Sequence, residues 1–118
     1  MVEVMRRGEI WVANLNPNRG GEIGKARPVV VLQEDSVTGT GLRTVLIAPL
    51  TTQFRPTFAP LRISIKARSR LLKNCYVMVE HVTALDRARF SEGPLTMLTA
   101  EEMAAVEKSL KAIFGLLE

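Results

Sequence analysis

Apolar and polar positions along this chain follow two different periods. Up to about residue 85, apolar residues come in short runs divided by turn formers. From Thr99 onward they recur at helical spacing. The first run, GEIWVANL (Gly8 to Leu15), holds β-branched and aromatic residues and predicts a strand. NPNRGGEIGKA (Asn16 to Ala26) is rich in Gly, Pro and Asn and predicts a loop. Arg27 to Gln33 is almost continuously apolar, which predicts a strand covered on both faces. SVTGTG reads as a turn. Leu42 to Thr52 reads as another strand, and Pro49 near its end suggests an edge or a bulge. After the Pro-punctuated loop QFRPTFAP, LRISIKA alternates cleanly. Leu61, Ile63 and Ile65 fall on one side, and Arg62, Ser64 and Lys66 on the other. NCYVMVEHVTAL (Asn74 to Leu85) predicts a fifth strand, and LDRARF one short helical turn.

LTAEEMAAVEKSLKAIFGLL is the clearest element. Thr99 with Glu102 three residues on is a capping-box pattern. Glu101 and Glu102 lie where the helix dipole favours acid. Met103, Val106, Leu110, Ile113, Phe114 and Leu117 share one face. This predicts a helix from about 99 to 117 laid against a sheet. Short strands in series followed by one helix predict a mostly β fold with a C-terminal α-helix. The form expected is a small, mostly antiparallel barrel, residues 1–118 making one domain.

Composition adds little to that, but charge adds more. Cys75 is the sole cysteine, so no internal disulfide is possible, and it reads as a semi-buried thiol in a reducing, cytoplasmic setting. No apolar run approaches the ~18 residues of a membrane span. The N-terminal MVEVMRRGEIWV lacks a signal-peptide pattern. The net charge is +4, and it is unevenly spread. The last twenty residues carry −2, leaving +6 on residues 1–98. Ser36 to Val79 holds no acidic residue but contains Arg43, Arg55, Arg62, Lys66, Arg68, Arg70 and Lys73. Such asymmetry favours a polyanionic partner, or else is a merely soluble basic surface.

Motif chemistry is narrow. The chain has no P-loop, no HExxH and no CxxC, and one His with one Cys cannot by themselves build a tetrahedral zinc site. The glycines of RGGEIG fall between two strands and serve better as loop hinges than as a dinucleotide cradle. RNA cleavage without a metal suits what remains, because the ribose 2′-hydroxyl is an internal nucleophile. Such cleavage needs a cation for the phosphate, a hydroxyl donor, and a proton-transfer group. Arg27, Thr51 or Thr52, and the adjacent Glu80 and His81 are the candidates. Each has an ordinary reading too: a strand-end charge, turn threonines, and a half-buried imidazole with its carboxylate partner. Trp11 reads as core.

Several stretches together resemble the MazF/PemK/Kid family of bacterial toxin endoribonucleases. They are Arg7-Gly8-Glu9-Ile10-Trp11, Leu15-Asn16-Pro17, Gly21-Glu22 and Arg27-Pro28-Val29-Val30-Val31. IAPLTTQ, VEHVTALDRARF and the C-terminal helix extend the similarity over essentially the whole chain. The resemblance implies an SH3-like antiparallel barrel, a homodimer, and sequence-selective cleavage of single-stranded RNA without metal or other cofactor. The implied products are a 2′,3′-cyclic phosphate and a 5′-hydroxyl. It also implies an antitoxin partner with an acidic, partly disordered segment.

Carried onto this sequence, the family's catalytic arginine falls on Arg27 and its threonine on Thr51, with Thr52 one residue away. An acid with a proton-transfer role in some members falls on Glu80, beside His81. The arginine that some members place two positions before that acid is Met78 here, so the full arginine–acid arrangement is not present in sequence. The loop Asn16–Ala26 reads as a gate over the RNA, with Asn14, Glu22 and Lys25 as contacts. The basic segment Arg62–Lys73, with Arg68 and Arg70, reads as a track for phosphates. Two alternatives stay open: a binding module that no longer cuts, and a topoisomerase-directed toxin on the same fold, against which Arg27 argues.

Overall fold

The computed structural model describes residues 4–15 and 25–116. The gate loop reading, Glu22 included, lies mostly outside the described residues, as does Leu117. Among the described residues there are seven strands and two α-helices. They are β1 (Glu9–Asn14), β2 (Ala26–Val31), α1 (Asp35–Thr38), β3 (Thr44–Thr51), β4 (Ile63–Ile65), β5 (Cys75–Val77), β6 (Thr83–Asp86), β7 (Phe90–Met97) and α2 (Ala100–Ile113). All pairings are antiparallel, in the order β4-β5-β3-β2-β1-β7, with β6 also on β3. The sheet curls into an open, barrel-like form. No ladder joins β4 to β7. Instead the Arg70 N–H donates to the Leu95 carbonyl at 3.0 Å and ties the intervening segment to β7.

The consecutive valines of β2 explain its place in the middle. Val30 packs with Ile10, Ala48, Leu50, Ile65 and Val77 on one face, where Val106 of α2 closes the core. Val29 and Val31 pack with Trp11, Val45, Ile47 and Leu85 on the other. A strand alternates its side chains, so a doubly covered strand must be apolar throughout. Trp11 is buried as expected and meets Phe90 edge to face, with centroids 6.4 Å apart.

Four expectations change. SVTGTG opens as the short helix α1, capped by the Glu34 carboxylate on the Ser36 N–H at 2.8 Å. Pro49 is not on an edge, because β3 has partners on both sides. Thr44–Ile47 pair with β6 and Leu50–Thr51 with β5. Pro49 falls in the gap between those partners, where its missing N–H breaks no ladder bond, and its carbonyl accepts from the Met78 N–H at 2.8 Å.

The expected single strand Asn74–Leu85 is two strands, split by a 3-10 turn at Val79–His81. That break carries the chain from one half of β3 to the other. The strand β7 was hidden in the sequence by Ser91, Glu92, Gly93 and Pro94, which read as turn formers. It forms because β1 offers it an open edge.

The C-terminal helix has the expected Thr99–Glu102 capping box, with both reciprocal hydrogen bonds formed. Val106 is buried, and Met103, Leu110 and Ile113 pack beside it, whereas Phe114 lies beyond the helix and is 59% exposed. Ser109 is buried on the same face and donates to the Leu61 carbonyl at 2.8 Å.

Candidate active site

Strand register brings the first two candidates together. Val29 pairs with Pro49, so counting two residues along each antiparallel strand sets Arg27 across from Thr51. Between and above them lies a cavity of about 370 Å³. Its walls are Arg27 and Pro28 from β2, Leu50 to Gln53 from the end of β3, and Arg55, Arg62 and Met78.

Arg27 is half-buried, and an Nη1 bond to the Leu50 carbonyl at 3.3 Å steers its fork. Desolvation lowers its pKa. The Thr51 hydroxyl accepts from the Gln53 N–H at 3.2 Å, which leaves its own proton to give. Thr52 sits beside it on the same wall. Neither Arg27 nor Arg55 meets a carboxylate among the described residues; Arg55 donates to the Gln53 amide at 2.9 Å. The cavity is therefore positively charged.

Glu80 and His81 do not line it. They stand behind Arg62, whose Nε and Nη2 reach the Glu80 Oε2 at 2.8 and 2.5 Å. The His81 Nε2 lies 3.8 Å from the same oxygen. Burial pushes the Glu80 carboxyl up, but hydrogen bonding from Arg62 and its own backbone N–H, with the nearby positive charge, outweighs this and holds it below its ordinary value. The ring of Phe58 lies under the Arg62 guanidinium, 4.7 Å from its carbon.

Arg62, read in sequence as part of a basic phosphate track, lines the cavity instead. Alternation put it on the side opposite Leu61, Ile63 and Ile65, with Ser64 and Lys66, yet only 10% of its side chain is exposed. Only the tertiary pairing with Glu80, 18 residues away, reveals it. It also brings an arginine to the wall that Met78 lines, where sequence alone showed none.

Two buried side-chain polar atoms lack any partner among the described residues: Arg27 Nε and Glu80 Oε1. Native proteins satisfy nearly all such atoms, and of these two Arg27 belongs to the cavity wall while Glu80 stands behind it.

The remaining candidates lie elsewhere. Asn14 ends β1 and Lys25 precedes β2, and beside them the Leu15 N–H donates to the Lys25 carbonyl at 2.9 Å. Arg68 forks onto Glu102 at the start of α2, and Arg70 reaches Glu92 on β7. The basic stretch that looked unopposed in sequence thus meets carboxylates folded onto it from later in the chain.

The family model for PemK-like, MazF-like toxins of type II toxin–antitoxin systems matches residues 6–114. The chain belongs to that toxin family. Solved MazF structures share its fold. MazF from Deinococcus radiodurans is 24% identical, over 96% of this chain and 98% of that one, with a TM-score of 0.81. The Mycobacterium tuberculosis toxin MazF-mt6 is 23% identical, over 93% and 99%, with a TM-score of 0.76. A Mycobacterial endoribonuclease in complex with its cognate antitoxin is 18% identical, over 96% and 97%, at 0.75. At these identities the likeness establishes this PemK/MazF-like fold. Arg27, Thr51 and Arg62 share one cavity.

Proposed function

We propose that this toxin is an endoribonuclease that cuts single-stranded RNA by attack of the ribose 2′-hydroxyl, without a metal. The observation that carries the reading is the cavity that joins Arg27, Thr51 and Arg62, with an unpartnered Nε on Arg27. In the reaction the 2′-hydroxyl loses its proton and bonds to phosphorus. The bond from phosphorus to the 5′-oxygen then breaks, and that oxygen takes up a proton. A 2′,3′-cyclic phosphate and a 5′-hydroxyl result.

Negative charge builds on the non-bridging oxygens, where Arg27 offers a planar fork and Arg62 a second cation. Thr51 donates one more hydrogen bond. Glu80 holds Arg62 in place. Glu80 and His81 stand behind Arg62, so their proposed part in the proton transfers runs through water in the cavity. Asn14, Lys25, Glu22 and Thr52 are proposed as RNA contacts. Arg68 and Arg70, occupied by carboxylates, are left out of the reading.

The same positive cavity suits an antitoxin with an acidic, partly disordered segment, which would compete with RNA. A homodimer in the cytoplasm completes the proposal.

The test is cleavage of a long single-stranded RNA by purified, antitoxin-free protein in excess EDTA, with the ends mapped. Cuts at a short recurring sequence, with cyclic-phosphate and 5′-hydroxyl ends, are expected. Arg27→Ala should lower the rate by about a hundredfold to a thousandfold. RNA of varied sequence left intact by folded protein overturns the reading in favour of a binding module.

A further inference from the structure

We propose that Phe54 and Tyr76 form a stacking slot for one unpaired nucleobase of the RNA, next to the phosphate cavity. The inference rests on the nuclease reading above and adds how the substrate is held. A second cavity of about 220 Å³ is lined by Phe54, Arg55, Ala59, Arg62, Ser64 and Tyr76. It shares Arg55 and Arg62 with the phosphate cavity, so the two are neighbours across common walls. A strand whose phosphate meets Arg27 and Arg62 brings an adjoining base to this second space.

Aromatic placement singles it out. The chain has six aromatic residues. Trp11 and Phe90 close on each other in the core, and Phe114 follows α2. The other three, Phe54, Phe58 and Tyr76, gather here. Phe54 is 57% exposed and Phe58 41%, so the fold itself does not bury them.

The Phe54 and Tyr76 rings touch at a tilt of 49°, with centroids 5.6 Å apart. Tyr76 sits mid-strand in β5, with Thr51 and Ser64 as its cross-strand neighbours. Its ring is thus held one strand from the proposed catalytic hydroxyl. Phe54 lies on the connection after β3, with more than half of its surface open to a base. The Arg55 guanidinium and the Ser64 hydroxyl supply hydrogen bonds to a base edge. Aromatic and arginine planes that stack splayed bases are the usual means of reading single-stranded RNA.

The test uses an oligoribonucleotide that spans a mapped cleavage site and carries a 2′-deoxy sugar at the scissile position, so that it binds uncut. 2-Aminopurine is placed at each position in turn. One position next to the cut should show quenched fluorescence on binding the wild-type protein. Phe54→Ala should abolish that quenching and weaken binding by about tenfold to a hundredfold. Phe54→Tyr should keep both. The thermal midpoint should not move, since Phe54 is mostly exposed.

In parallel, abasic substitution at that same position should slow wild-type cleavage of the all-ribose RNA and leave Phe54→Ala indifferent. If wild-type protein cuts RNA but no position is quenched, or the quenching survives Phe54→Ala, the slot is overturned and the nuclease stands. If the protein neither binds nor cuts RNA, both readings fall.

Discussion

Thr51 shows how one hydrogen bond sets a side chain's part in chemistry. Its oxygen accepts from the Gln53 N–H, so the hydroxyl proton is the part left to meet a phosphate. Thr51→Val keeps the shape and removes the donor. Cleavage should fall by about tenfold to a hundredfold, and Thr51→Ser should recover most of it; rates on a mapped oligonucleotide decide this. Arg62 and Glu80 make a sharper pair. Arg62→Met leaves the Glu80 carboxylate half-buried and unpaired, at a stability cost of about 1–3 kcal/mol by urea unfolding. It should slow cleavage as well. Glu80→Gln keeps an acceptor for Arg62 and should cost less stability, while cleavage falls with the lost proton-transfer group.

At the scale of elements, β7 depends on a close approach. A Cβ on Gly93 would meet the Trp11 ring at 2.5 to 2.7 Å. That ring is buried and held by Phe90, so it has little room to give. Gly93→Ala should therefore destabilise the fold by about 1–3 kcal/mol, read as a lower thermal midpoint. The same element shows where local pattern misleads. Gly93 and Pro94 are turn formers by propensity, yet they lie inside β7, at the break in its register with β1 between Glu92 and Thr96, where a strand tolerates them. By contrast, α2 needed no tertiary help to be recognised. Its cap, its acidic first turn and its apolar face are all local.

Across the whole molecule, charge is organised by folding. Arg43, Arg62, Arg68 and Arg70 each meet an acid from residues 80–102. Those carboxylates link stability to pH. The folded values of Glu80 and Glu102 lie below the ordinary carboxylate range: burial raises each, but hydrogen bonds from Arg62 and Arg68 and their charges outweigh it. Such groups stabilise the fold above the unfolded value of about 4.3. That stability is lost as pH falls through the folded values, because the unfolded chain binds more protons there. Thermal midpoints should hold near neutrality and drop below about pH 4.3, with a shallower drop for Glu80→Gln. Arg27 and Arg55, which meet no carboxylate among the described residues, concentrate positive charge at one cavity. RNA affinity should weaken with salt, and Arg55→Ala should reduce the slope of log K against log salt by about one.

By itself, the sequence determined the elements whose signals are local. The continuous valines of β2 required cover on both faces, and the stripe and cap of α2 required a helix on a sheet. The motif around Arg27 and Thr51 was legible through its resemblance to the toxin family, and the pairing of β2 with β3 then set the two residues side by side. Tertiary structure alone decided the rest. Arg62 lies on the polar side of an alternating segment, and nothing near it in the chain announces Glu80. Phe54 and Tyr76 are 22 positions apart and meet only because β5 pairs with the end of β3. Arg68 and Arg70 looked like open charge until α2 and β7 brought Glu102 and Glu92 to them. Local propensity reads periodicity along the chain, whereas ion pairs and cavities are set by which strands the sheet makes neighbours.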